Sequence, residues 1–137
     1  MGLFNTFANQ NFELTPKQIV LEYGNIFIEG EIVQKAVKLN FDKWVFTNYR
    51  LLLILACKGA RFELVTIPYS SIRKFSLIKS ISDNSTSELN IYLRHEEKAI
   101  RKEFKSADIV NELYRLLTKY ISNVSGIINE IPMVKIH

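Results

Sequence analysis

The chain has 137 residues, 47% of them hydrophobic and 23% charged, and its 18 Lys+Arg against 14 Asp+Glu leave a formal charge of +4. A chain of this length buries one core without disulfides or metal, and its apolar content excludes intrinsic disorder. The charge is mildly basic without a block of like charges, which excludes a dedicated nucleic-acid binder. Cys57 is the only cysteine, so no intrachain disulfide forms and a reducing compartment fits. No signal-peptide pattern opens the sequence and no apolar run approaches the ~20 residues of a membrane helix, so a cytoplasmic protein is expected.

The opening "MGLFNT" fits a short acylation pattern through Gly2 and Thr6, but the simpler reading is an apolar arm carrying Leu3, Phe4 and Phe7. Within residues 14–24, "LTPKQIVLEYG", Thr15 is a good N-cap, Pro16 suits the first helical position and Gln18 completes a capping box. Leu14 and Ile19 have the spacing of a hydrophobic staple, and Gly24 is expected to end the helix in the left-handed conformation. A helix of two turns is not stable alone. Its Ile19, Val20 and Tyr23 are therefore expected to dock on another element.

Strand patterns follow. "EIVQKAVKL" (31–39) puts Val33, Val37 and Leu39 on one face; "KWVFT" (43–47) and "RLLLILAC" (50–57) are joined by an Asn48-Tyr49 turn. Cys57, at the end of an apolar strand, is expected to be a buried small hydrophobe. "RFELVTIPY" (61–69) and "IRKFSLIK" (72–79) come next, then a polar loop "SISDNSTS". "ELNIYLR" (88–94) alternates with Leu89, Ile91 and Leu93 inward, and "KAIRKEF" (98–104) follows a tight turn at "HEE". The basic run "KAIRKEFK" (98–105) is broken by Glu103 and apolar residues, so it reads as a solvated strand face and not a phosphate site. This makes seven strands in series.

The period then changes to that of a helix. Ser106 caps it, Asp108 suits its first turn, and Ile109, Val110, Leu113, Leu116, Leu117, Tyr120 and Ile121 form one apolar stripe. At 1.5 Å per residue this helix is about 22 Å long, enough to close one end of a small sheet sandwich. The tail "VSGIINEIPMVKIH" is apolar but interrupted by Gly126 and Pro132, and its pattern assigns it no element. The expected organisation is an N-terminal arm and helix over 1–30, a β domain over 31–121 and a tail over 122–137.

The hairpin at "FTNYRLLLI" (46–54) raises the functional question. Its register pairs Phe46 with Leu51, Val45 with Leu52 and Trp44 with Leu53. Tyr49 is a poor fit for φ > 0, which favours a four-residue loop. Trp44, Phe46, Leu51, Leu53 and Leu55 then share the bulkier, core-facing side. The opposite face carries Val45, Leu52, Ile54 and Ala56, an apolar surface that a single sandwich would leave in water. Covering two such side chains contributes on the order of 3–6 kcal/mol before association costs. The candidates for the cover are the chain's own N-terminal helix, its C-terminal tail, a second copy of the chain, or a membrane or peptide partner. Val45, Leu52 and Ile54 are accordingly the candidate interface residues.

The words "MGLF", "EGE" (29–31), "VFTNYRLLLI" (45–54), "IPYSSIRKFSL" (67–77), "SELNIYL" (87–93) and "KEFK" (102–105), in this order, resemble the bacterial pleckstrin-homology-like domain family over residues 1–121. The resemblance implies a mainly β fold: a seven-stranded, partly open barrel or sandwich of two near-orthogonal sheets, plugged by the C-terminal helix. The short N-terminal helix is an addition. It further implies an interaction module that forms homo-oligomers, ring-shaped in several members. Eukaryotic relatives bind phosphoinositides through a basic first hairpin. Here "KLNFDKW" offers only Lys38 and Lys43 beside Asp42, so that site is not carried over.

No catalytic constellation stands out. His95 lies in a turn, and the adjacent "HEE" residues alternate in direction without completing a metal set. Asp42, Asp83 and Asp108 fall in loops or caps, Ser70 and Ser71 at a turn, and the five glycines form no phosphate loop. The sequence therefore predicts no catalytic residue, metal, cofactor, nucleic acid or small-molecule substrate. It predicts a self-associating interaction module, with peripheral membrane or lipid binding as the alternative, favoured by pI ≈ 9.2 and the apolar arm.

Overall fold

Residues 11–82 and 86–125 are described by the computed structural model. Eight strands form two antiparallel sheets among them: β1 (Asn11–Leu14), β2 (Val33–Leu39), β3 (Asp42–Thr47), β4 (Arg50–Cys57) and β5 (Arg61–Pro68) in that order, then β6 (Ile72–Lys79), β7 (Ser87–Leu93) and β8 (Ile100–Phe104). Helix α1 (Pro16–Tyr23) lies between β1 and β2, and α2 (Ala107–Ser125) follows β8. The mainly β fold with a C-terminal helix and a short N-terminal one is as the sequence predicts. One strand is added to the expected seven. β1 pairs with β2, Asn11 opposite Leu39 and Leu14 opposite Ala36. Four residues, "NFEL", are too short for a period-2 signal, and pairing with β2 makes them a strand.

The expected capping box of α1 is present: the Gln18 N–H donates to Thr15 Oγ1 (3.1 Å) and the Thr15 N–H to Gln18 Oε1 (2.7 Å). Its end differs from expectation. Gly24 has φ −54° and stays right-handed, leading into a 3₁₀ turn over Gly24–Ile26. Ile19 and Tyr23 dock as predicted, but Val20 is exposed, because an eight-residue helix turns only one narrow face to the sheet.

The β3–β4 hairpin has the predicted register, Trp44 opposite Leu53, Val45 opposite Leu52 and Phe46 opposite Leu51. Neither Asn48 nor Tyr49 takes a positive φ. Trp44, Phe46, Leu51 and Leu53 join Val37, Leu89, Ile91 and Phe104 in the main core. Helix α2 adds Val110, Leu113, Leu117 and Tyr120 to that core, capped by Ser106 Oγ, which accepts from the Ile109 N–H at 3.3 Å. A second core lies on the other face: Val45, Leu52, Ile54 and Ala36 under Ile19 and Tyr23.

Two expectations on side-chain direction need correction. A β-bulge between Val33 and Lys35 breaks the alternation of β2, so Val33 joins the second core while Val37 and Leu39 stay in the first. Cys57 is exposed and not buried: it shares the face of Leu53 and Leu55, but that face is only partly buried by Leu55, and Cys57, paired with Arg61 at the end of the β4–β5 hairpin, lies beyond the main core.

The second core depends on one short helix. Ile19→Ala is expected to cost about 2–5 kcal/mol in urea denaturation, whereas Val20→Ala, on the exposed side of the same helix, changes stability by less than ~0.5 kcal/mol.

Candidate interaction site

The three residues marked by the sequence as an interface are interior. Val45, Leu52 and Ile54 are 0%, 0% and 3% exposed, beneath α1 and the partly buried Leu14, Ile26 and Phe27. This corrects the interface assignment: of the candidate covers, the chain's own N-terminal helix occupies the face. The sequence carried half of the signal: a capped two-turn helix with Ile19 and Tyr23 on one side must bury them, but nothing in its pattern names the surface that receives them.

Beside this core lies a polar cluster that sequence reasoning missed. Glu31, whose side chain is 1% exposed, accepts from Arg50 Nε at 2.8 Å and from Arg50 Nη2 at 3.1 Å, a two-pronged pair. Thr47 Oγ1 donates to Glu31 Oε2 at 2.8 Å, and the Ile28 N–H to Oε1 at 3.2 Å. Arg50 also donates to Ile26 O (2.9 Å) and Thr66 Oγ1 (2.8 Å). Asn48 completes the join: its Oδ1 accepts from the Ile32 N–H and its Nδ2 donates to Gly30 O. The turn between β3 and β4 is thereby fastened to the segment leading into β2. Burial pushes the Glu31 carboxyl up, but hydrogen bonds from Arg50, Thr47 and Ile28, with the Arg50 charge, outweigh it and hold it below the ordinary carboxylate value. Buried Tyr69 donates to Thr47 O at 2.7 Å and stacks on Tyr120 of α2 at 4.9 Å. Burial, with Tyr120 and Glu31 nearby, raises its phenol.

A second ion cluster holds α2. Lys35, 4% exposed, meets Glu112 at 2.7 Å and Glu13 of β1 at 3.0 Å. Burial lowers its ammonium, but the two carboxylates outweigh that and raise it. Both clusters are internally satisfied and serve as fasteners. Among the described residues, no group of three or more His, Cys, Asp and Glu is placed to hold a metal ion, and His95 sits exposed at a turn with φ 66°. No helix among them is long and apolar enough to cross a membrane.

Exposed apolar surface lies elsewhere. β5 is an edge strand of the five-stranded sheet, and its outer face shows Phe62 (54% exposed) and Leu64 (41%). Phe62 packs edge-on against Tyr23, 5.7 Å between ring centroids, so this apolar strip continues the second core outward. At the other end of β5, Ile26, Ile28, Tyr49, Arg50, Thr66 and Pro68 line an open groove of about 300 Å³. At the β2–β3 hairpin tip, Asn40 takes φ 58° and lifts Phe41 to 72% exposure. Sequence reasoning missed Phe62 and Leu64, because nothing in "RFELVTIP" says which strand lies at the sheet edge.

A family model described as Bacterial PH domain matches residues 2–121. The chain belongs to that family. This bacterial PH domain is 32% identical over 120 residues to the uncharacterized protein YjqA of Bacillus subtilis (strain 168), covering 85% of this chain and 96% of that one. Two solved structures carry the same fold. A DUF1696 family protein with a pleckstrin-homology domain from Shewanella loihica PV-4 superposes with a TM-score of 0.73 at 23% identity, over 82% of this chain and 98% of that one. A pleckstrin homology domain from Shewanella amazonensis SB2B gives 0.67 at 25%, over 78% and 98%.

The Glu31–Arg50 pair makes a pH prediction for this PH domain. Because the folded-state pKa of Glu31 lies below its unfolded value, its contribution is fully present above the unfolded value, near pH 4.5, and is lost as pH falls through the folded one. Urea unfolding at pH 7 is expected to show Glu31→Gln destabilised by about 3 kcal/mol, the cost of leaving Arg50 unpaired. The gap between wild type and variant should narrow below pH 4.5.

Proposed function

We propose that this PH domain is a non-enzymatic, cytoplasmic interaction module that associates with copies of itself. The observation that carries the reading is edge strand β5, with one side of its backbone unpaired among the described residues and with Phe62 and Leu64 exposed on its outer face. An unprotected edge beside an apolar strip is a template for strand addition. Charge supports a second copy as the partner. β5 carries one cation, Arg61, and one anion, Glu63, so two such edges do not repel. The β6 edge carries Arg73, Lys74 and Lys79 and no acid. Contact through one self-complementary patch closes as a dimer, whereas a head-to-tail contact gives a ring where its rotation closes and an open filament where it does not.

Light scattering after size exclusion tests this. The wild type is expected to run as an oligomer at micromolar concentration, and Phe62→Glu with Leu64→Glu as a folded monomer. A monomeric wild type removes the reading.

A second reading, membrane-surface or lipid binding, is favoured by Phe41 at its hairpin tip. Lys38 lies beside it on β2, and Lys58 and Arg61 flank the neighbouring β4–β5 tip. The two tips adjoin, since Asp42 Oδ1 accepts from the Ala56 N–H at 2.9 Å. The apolar arm Leu3, Phe4 and Phe7, also cited for this reading, lies outside the described residues. Attraction of about 1 kcal/mol per basic residue to an anionic surface is lost with salt. Under this reading, co-sedimentation with phosphatidylserine-containing vesicles is salt-sensitive and falls at least fivefold in Phe41→Ser. Equal sedimentation of the two proteins rejects it.

A further inference from the structure

The groove between the β3–β4 turn and the end of β5 has apolar walls and no unmet polar group at its floor. Ile28 and Tyr49 stand exposed on its rim, with Ile26 and Pro68 beside them. Glu31, Arg50 and Thr66, the polar lining residues, are bonded to one another. An occupant therefore gains little from charge and much from aliphatic surface. At about 300 Å³ the groove is at the small end of ligand pockets, room for a few side chains of an extended segment.

The chain carries such a segment close by. Helix α2 brings Tyr120 against Tyr69 at 4.9 Å, and Tyr69 directly follows Pro68 of the groove. From Tyr120 the helix continues to Ser125, about 7.5 Å at 1.5 Å per residue. Residues 126–137 then read "GIINEIPMVKIH", with Ile127, Ile128, Ile131, Met133, Val134 and Ile136. Residues 126–134, extended, reach about 30 Å, ample to return from the helix end to the groove. The other apolar segment outside the described residues, Leu3 to Phe7, is joined to the described chain at Asn11, at the far end of the sheet. Asn11 pairs with Leu39, and its Oδ1 accepts from the Lys105 N–H at 2.9 Å. That is roughly 20 Å along β2 from the groove, at ~3.3 Å per residue.

We propose that the segment after α2, residues 126–137, docks its aliphatic side chains in the Ile26–Ile28–Tyr49–Pro68 groove of the same chain. The docked segment covers the exposed rim and occupies the face next to Leu64 on β5, so it borders the surface through which a second copy would bind.

Disulfide trapping tests the placement on the full chain with Cys57→Ser. Ile28→Cys with Val134→Cys is expected to form an intrachain bond under a mild thiol oxidant at least tenfold faster than the control pair Lys79→Cys with Val134→Cys. Peptide mapping identifies the bond. Hydrogen exchange supplies a second readout: ending the chain after Ser125 should raise exchange at Ile26–Ile28 by at least threefold, with the β7 amides unchanged. Equal trapping of the two pairs, or unchanged exchange on truncation, overturns the proposal. A predominantly interchain bond overturns it as well, and assigns the groove to the tail of a second copy. Oligomeric state does not enter either readout, so failure here leaves self-association through β5 to be judged separately.

Discussion

The β3–β4 ribbon is apolar on both faces, and both must be kept from water. One face, with Trp44 and Phe46, is thick enough to need a second sheet and a helix opposite it; the main core and α2 answer that need. The other face is a shallow aliphatic surface that one short helix can cover. Strand order, the return of the chain over the outer face and the closing of the sandwich by α2 all follow from the double burial. A hairpin with one wet face would need neither α1 nor the second core.

The two covers are held by different chemistry. α1 has little intrinsic stability and is placed by its capping box and by Ile19 and Tyr23. The segment joining it to β2 is fixed by Glu31 reaching Arg50 and Thr47, and by Asn48 across the turn. A carboxylate so shielded from water persists as an anion only because its oxygens accept four hydrogen bonds from three groups, Arg50, Thr47 and the Ile28 N–H. α2 is fastened at its other side by Lys35 to Glu112. Charged groups thus set where the covers sit, while apolar contacts supply most of the stability.

Once both faces are sealed, the remaining apolar surface is found at places defined by topology. Phe62 and Leu64 are exposed because β5 is an edge, and Phe41 because a two-residue turn has no neighbour above it. The groove at Ile28 and Tyr49 is the gap between the turn and the segment clasped to it. The surfaces proposed for interaction belong to edges and tips, where substitutions do not endanger the fold.

The sequence alone determined what local periodicity and short-range register encode: seven strands of the two sheets, the capped helices, and the pairing of Phe46 with Leu51 and Val45 with Leu52. It also showed that Val45, Leu52 and Ile54 required a cover, because alternation fixes which side chains share a face. Which body supplies that cover was a matter of tertiary structure, since α1 and the hairpin are distant in sequence and any apolar partner satisfies the same pattern. Tertiary pairing likewise decided β1, too short to carry a period, and the bulge that moves Val33 to the other core. The union of Glu31 with Arg50 and the edge position of Phe62 and Leu64 were decided there too, because contacts across the fold leave no periodic trace in the chain.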